Sequence, residues 1–305
     1  MASISFLTRG AAWALLVAIC GVAQAGPLGA ALDGGDGMDA AVAAAPLPAS
    51  VRVLRDQPYG PHPLQRMDVY LPPHAHDAPV LFMVHGGAWR VGDKAHASVV
   101  HDKVARWVPQ GVVLVSVNYR MLPEAAPLEQ ARDVARALAQ AQRLAPQWGA
   151  QPGRFVAMGH SAGAHLVALL AAAPALWQAQ GARPVRATVA LDSAVYDVAE
   201  AMRRPHLRLY DAAFGSDPAQ WALVSPVQQL RQAGAPLLAV CSTRRRAACA
   251  QAEGFAAHAR ALGMRVQVLG QDLSHGEINA SLGRDGPYTE AVEAFLRAVD
   301  AKMLP

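Results

Sequence analysis

Residues 154–173 read RFVAMGHSAGAHLVALLAAA. Arg154–Met158 is a short apolar run with strand character, and Ala164–Ala173 is an Ala/Leu-rich stretch with helix character. The five residues that join them, Gly159-His160-Ser161-Ala162-Gly163, form a G-x-S-x-G match. On its own such a match arises by chance in about one chain in ten of this length, so its context decides. Here it sits where a strand turns sharply into a helix, the setting in which a serine is held clear of the backbone. Small flanking residues permit that turn. The amides and dipole of the following helix then face the hydroxyl. Ser161 is therefore the candidate nucleophile.

Working outward, the same alternation repeats. Pro79–His85 (PVLFMVH), Gly111–Asn118, Val185–Leu191, Pro236–Cys241 and Val266–Leu269 read as further strands. Helical spacing falls around Ala97–Val108, Leu128–Leu144, Ala247–Leu262 and Tyr288–Val299. The strands are continuous apolar runs, as burial on both faces requires. The fold class is α/β: a mostly parallel central sheet with helices on both faces. Val198–Val224 breaks the alternation and carries Arg203, Arg204, Arg208, Tyr210, Phe214 and Trp221. It reads either as a short cap or substrate loop at the carboxyl edge of the sheet or as an ordinary surface excursion.

Two further segments carry chemistry. His85-Gly86-Gly87-Ala88-Trp89 follows the strand at 79–85. Its glycines let backbone N–H groups reach a developing oxyanion without side chains in the way. Gly86, Gly87 and Ala88, with the amide of Ala162, form the candidate oxyanion hole. His275 lies just past the last strand in Asp272-Leu273-Ser274-His275-Gly276-Glu277. Of eleven histidines, its position in the order Ser…acid…His selects it as the general base. His160 and His165 flank the turn and are read as structural.

HGGAW at 85–89, SVNYRMLPE at 116–124, GHSAGAHL at 159–166 and SHGE at 274–277 stand in an order and spacing that resemble a known family. The chain looks like an α/β-hydrolase of the hormone-sensitive-lipase-like esterase group, with motif forms similar to arylformamidases and small carboxylesterases. The resemblance covers Val51 to the C-terminus. It implies the α/β-hydrolase fold, with Ser161 as nucleophile, His275 as base and Gly86, Gly87, Ala88 and Ala162 around the oxyanion. It also implies scaffold roles for Tyr119, Arg120, Glu124 and Asp133, with Asp133 a partner for Arg120.

The chain departs from that family at the acid. The usual position follows the strand at 236–241, but there the sequence runs Cys241-Ser242-Thr243-Arg244-Arg245-Arg246-Ala247-Ala248-Cys249 and holds no carboxylate. A second position ends the preceding strand, in Leu191-Asp192-Ser193-Ala194. Some α/β-hydrolases place the acid there, within reach of the outer nitrogen of the histidine. Asp192 is the leading candidate, followed by Asp197, Glu253 and Asp272. The arginine run reads either as a solvated loop or as a site for an anionic substrate group.

Composition agrees. With 305 residues, 53% hydrophobic and 16% charged, the chain is neither disordered nor a small disulfide scaffold. A formal charge of +4 over this length is too weak to argue for nucleic acid. Residues 1–25 carry Arg9, an apolar run from Ala11 to Val22, and Ala23-Gln24-Ala25, the pattern of a signal peptide. Its removal deletes one Arg and no acid, taking +4 to +3, and leaves no stable membrane anchor. Residues 26–50 read as a flexible spacer, and 51–305 as the hydrolase domain. The destination is periplasmic or secreted. Cys241 and Cys249 are eight positions apart and are either bridged or free.

The expectation is a serine hydrolase that needs no metal or cofactor and cleaves small carboxylic esters through an acyl-enzyme. N-formyl anilides are the second substrate class. A non-catalytic binding protein on a hydrolase scaffold is the third reading, supported by the missing acid alone. Oligomeric state is left open.

Overall fold

The computed structural model describes Met1, residues 46–193 and residues 195–304. The expected signal peptide and residues 26–45 of the expected spacer lie outside the described residues. Leu47 already packs against the core, four positions before the expected domain start at Val51.

Eight strands form one sheet. They are β1 (Arg52–Pro58), β2 (Arg66–Leu71), β3 (Ala78–Val84), β4 (Val113–Val117), β5 (Ala150–His160), β6 (Ala187–Leu191), β7 (Leu237–Ser242) and β8 (Val266–Gln271), in the spatial order β1-β2-β4-β3-β5-β6-β7-β8. The pairs β1·β2 and β2·β4 are antiparallel and the remaining pairs parallel. Every residue of β3 is buried, as is every residue of β4, β6 and β7. That is why these strands read as unbroken apolar runs.

Alternate residues of a strand face opposite layers. Val80, Phe82 and Val84 pack with Val134 and Leu138 of α2 (Pro127–Leu144) and with Leu166 and Leu170 of α3 (Ala162–Ala172). Leu81 and Met83 pack on the other side, with Val100, Val104 and Trp107 of α1 (Ala97–Trp107) and Leu296 of the C-terminal helix at Pro287–Val299. Nearly all of α3 is buried. Its all-round apolar sequence fits a helix enclosed between sheet and neighbouring helices.

Pro174–Ala179 forms the short helix α4. The segment after β6 folds as four more short helices: α5 (Val198–Arg203), α6 (Arg208–Phe214), α7 (Pro218–Leu223) and α8 (Pro226–Gln229). It is docked rather than loose. Trp89 meets Phe214 and Tyr210 edge-on, with ring centroids 4.9 and 5.9 Å apart. α9 (Arg246–Ala261) follows β7, α10 (His275–Ala280) follows β8, and α11 is the helix at Pro287–Val299.

The chain leaves β3 toward β4 and returns to place β5 on the other side of β3. The order reverses between these strands, the place where loops beyond the carboxyl ends diverge and ligand crevices form in sheets of this kind. HGGAW follows β3 and the serine turn ends β5.

Candidate active site

The turn at Ser161 is built by close approach. Val84 pairs with Gly159 across β3 and β5. A Cβ on Gly163 would lie 2.3 Å from the Val84 carbonyl oxygen and 2.5 Å from that of His85, so only glycine lets α3 start against the end of β3. Ser161 itself takes φ 54°, ψ −118°, a conformation L-residues rarely adopt and one the nucleophile elbow imposes. Its amide donates to the Leu191 carbonyl at 3.0 Å, which ties the turn to the residue before Asp192.

The HGGAW loop lies against this turn. A Cβ on Gly86 would come within 2.9 Å of Ser161 Cβ. Gly87 (φ 109°), Ala88 (φ 52°) and Trp89 (φ 59°) form a run of positive φ. At Gly87 a side chain would strike the Val91 carbonyl oxygen. The loop is anchored at many points. Arg90 and Val91 amides donate to the Gly87 carbonyl, Gln130 Nε2 and the Leu122 amide donate to the Trp89 carbonyl, and Tyr119 Oη donates to the His85 carbonyl at 2.9 Å. Held this way, the loop can present Gly86, Gly87 and Ala88 opposite Ala162, the first residue of α3, as the oxyanion chemistry requires.

His275 Nδ1 lies 2.7 Å from Asp192 Oδ2, and both residues are buried. Three strand ends make this contact. Asp192 follows β6, takes φ 51°, and its amide donates to the Val240 carbonyl on β7. The Ser242 amide at the end of β7 donates to Asp192 Oδ1 at 2.8 Å, and Ser242 Oγ donates to the Leu273 carbonyl at 2.6 Å. Ser274 then starts α10 with a capping box: its Oγ accepts from the Glu277 amide while Glu277 Oε2 accepts from the Ser274 amide. His275 thus sits in the first turn of a helix rather than in an open loop.

Burial alone would push the Asp192 carboxyl up. The His275 hydrogen bond, the charge of Arg245 and the Ser242 amide outweigh it and hold the group well below the ordinary carboxylate range. His160 immediately precedes the serine and touches the base. Its Nε2–H donates to the His275 carbonyl at 2.9 Å and its ring lies 4.5 Å from that of His275. Burial, reinforced by the neighbouring His275, keeps His160 neutral. His165 accepts from Trp89 Nε1 and donates to the Val224 carbonyl, and burial lowers it to about 4.

The rival acids lie elsewhere. Asp197 caps α5 through the Glu200 amide, Glu253 faces Arg260 on the surface of α9, and Asp272 pairs with Arg244. Arg120 forms a two-pronged pair with the buried Asp133, both contacts 2.8 Å, and Glu124 meets His62. Cys241 and Cys249 are joined in a disulfide that links the end of β7 to the first turn of α9. Sequence reading missed the Ser242 amide and took Arg245 only as part of an arginine run, not as a partner of Asp192 and His275. The arginine-rich loop, empty of carboxylate where the family carries one, was their only trace.

A serine on an elbow, a glycine loop against it and a carboxylate–imidazole pair beyond the carboxyl ends of a parallel sheet define an α/β-hydrolase. The chain belongs to the BD-FAE family, whose model matches residues 67–247. It is 28% identical to esterase LipC of Mycobacterium tuberculosis, over 79% of this chain and 64% of that protein. It is 33% identical over 118 residues to a probable isoprenylcysteine alpha-carbonyl methylesterase of Arabidopsis thaliana, ICMEL2, covering 38% of this chain and 27% of that one. The chain thus spans about a quarter of the length of the plant relatives it matches. Esterase B of Lactobacillus Rhamnosis shares the fold, with TM-score 0.68, 18% identity, and coverage of 85% of this chain and 88% of that one.

Proposed function

We propose that this protein is an exported serine carboxylesterase acting on small esters. The observation that carries the reading is the buried Asp192–His275 contact at 2.7 Å, set beside an elbow serine and a glycine loop. Relatives described as esterases support it. Export is supported by the signal-like residues 1–25 and by the Cys241–Cys249 disulfide, since such bonds persist outside the cytoplasm.

In this mechanism Ser161 Oγ attacks the ester carbonyl and His275 Nε2 takes its proton. Asp192 accepts the Nδ1–H, favours that tautomer and stabilises the imidazolium. The amides of the HGGAW loop and Ala162 receive the negative oxygen. Collapse of the tetrahedral intermediate returns the proton to the departing alcohol. Water, deprotonated by His275, then releases the acid from the acyl-enzyme. With Asp192 in contact with His275, the missing carboxylate after β7 no longer favours a non-catalytic scaffold.

The test is hydrolysis of p-nitrophenyl acetate and butyrate beside an N-formyl anilide, by the protein and its Ser161→Ala variant. Ester turnover lost in the variant supports the reading. Preferential turnover of the anilide overturns the substrate class, and turnover of neither overturns the activity.

A further inference from the structure

Arg245 occupies the place where a carboxylate is expected, and it touches both members of the acid–base pair. Its Nη1 lies 2.5 Å from Asp192 Oδ2 and 2.5 Å from His275 Nδ1. The Asp192 oxygen is the one His275 uses. Three atoms thus form a closed triangle in which one is a carboxylate oxygen, one a ring nitrogen and one a permanent donor.

A guanidinium donates and never accepts. When His275 Nδ1 carries its proton toward Asp192, the nitrogen has no lone pair for Arg245, and two N–H groups face each other. When Nδ1 is bare it accepts from Arg245, and the ring proton moves to Nε2. In that tautomer Nε2 cannot take the proton of Ser161. The arginine and the general base therefore compete for one nitrogen. The imidazolium formed during turnover also meets a fixed positive charge.

Resting on the serine-esterase reading above, we propose that Arg245 is a positioning residue that restrains His275. It orients Asp192 by its charge while favouring the tautomer in which Nδ1 is bare. Full base strength requires the guanidinium to withdraw from Nδ1 and remain on the carboxylate alone. Arg245 is built to be held yet able to shift. It is the residue before the first turn of α9, with φ −112°, ψ 80°, and its side chain is 28% exposed against 0% for Asp192. The disulfide closes the loop around it, four positions to either side. The neighbouring arginine does not share the role, since Arg244 faces Asp272 and Glu277.

Several charged or titratable groups lie near His275. They are His160 at the end of β5, Asp192 after β6, Arg245 before α9, and Glu277 and Arg244 on the outer side. Lys103 of α1 donates to the Asn279 carbonyl one turn on. The hydroxyls of Tyr210 and Tyr288 feel the Asp192 charge. Among these, Arg245 is the cation in direct contact with the ring.

The experiment compares the wild type with Arg245→Ala and Arg245→Gln, each checked for an unchanged circular-dichroism melt. Nitrogen-15 histidine spectra, with His275 assigned by His275→Gln, read the tautomer without requiring turnover. The wild type is expected to show a substantial share of the Nε2–H form, and both variants to move to the Nδ1–H form. In kcat/KM for p-nitrophenyl butyrate, the plateau should rise about three- to tenfold as Nδ1 loses its competing donor. A wild-type His275 already wholly in the Nδ1–H form overturns the proposal. So does a tenfold fall in kcat with the tautomer unmoved, which would make Arg245 a simple prop for Asp192. If the wild type hydrolyses no ester, the function fails while the tautomer spectra still decide the contact.

Discussion

Asp192 and His275 are 83 positions apart in sequence and 2.7 Å apart in space. The carboxylate reaches the imidazole from the end of β6, one strand earlier than the family's usual acid. Arg245, not an acid, stands in the loop between β7 and α9.

The first prediction follows from this contact. Asp192→Asn keeps the shape but removes the charge that favours the productive tautomer. We expect kcat to fall about 10⁴-fold with little change in the unfolding midpoint. Glu253→Gln and Asp272→Asn should stay within about twofold. A loss below tenfold in Asp192→Asn would remove Asp192 from the role.

Acid should weaken the fold before the carboxylates titrate. Burial lowers His85 and His165 to about 4 and keeps His160 well below the ordinary value. All three are neutral when folded and take up protons near pH 6.5 when unfolded. Their contribution is fully present above pH 6.5 and is lost as pH falls toward 4. The slope is about 1.4 kcal/mol per pH unit for each. Urea midpoints between pH 7 and 4.5 should fall accordingly, and unfolding at pH 5 should bind about three protons. A flat midpoint over this range would contradict the burial argument.

Much of this was legible in the sequence. The apolar runs of β3 to β7 announced a doubly covered sheet because double-sided burial leaves no polar alternation. The turn at 159–163 located the nucleophile because only small residues survive that approach. The antiparallel edge escaped. β1 is largely exposed, and β2 hides a buried Asp68 held by Arg55 and Lys94, so neither reads as an apolar run. Ser274-x-x-Glu277 was a readable capping box, and it places His275 in a helix. Arg245 was seen as a charge in a loop. Its meeting with Asp192 depends on the register of three strand ends, which no local pattern encodes.

The close approach at the elbow gives a packing prediction. Gly163→Ala would force a Cβ to 2.3 Å from a strand carbonyl, where a dense interior has no room. We expect a loss of more than about 3 kcal/mol or no folded protein. Gly153→Ala meets nothing within 4 Å and should change stability by less than about 0.5 kcal/mol. Equal effects in urea titrations would refute the packing account.

The disulfide closes a short loop that carries both Ser242 and Arg245. In Cys241→Ala/Cys249→Ala the loss of that closure should cost about 2–3 kcal/mol by urea titration. An unchanged midpoint would show that the bond adds nothing to the fold.

The central claim is that Ser161 is activated, and one measurement addresses it most directly. The purified protein is treated with a fluorophosphonate and the adduct mapped by mass spectrometry. We expect a single adduct on Ser161, formed more slowly by about a hundredfold or more in Asp192→Asn. No adduct on the folded protein, or an adduct on another residue, would contradict it.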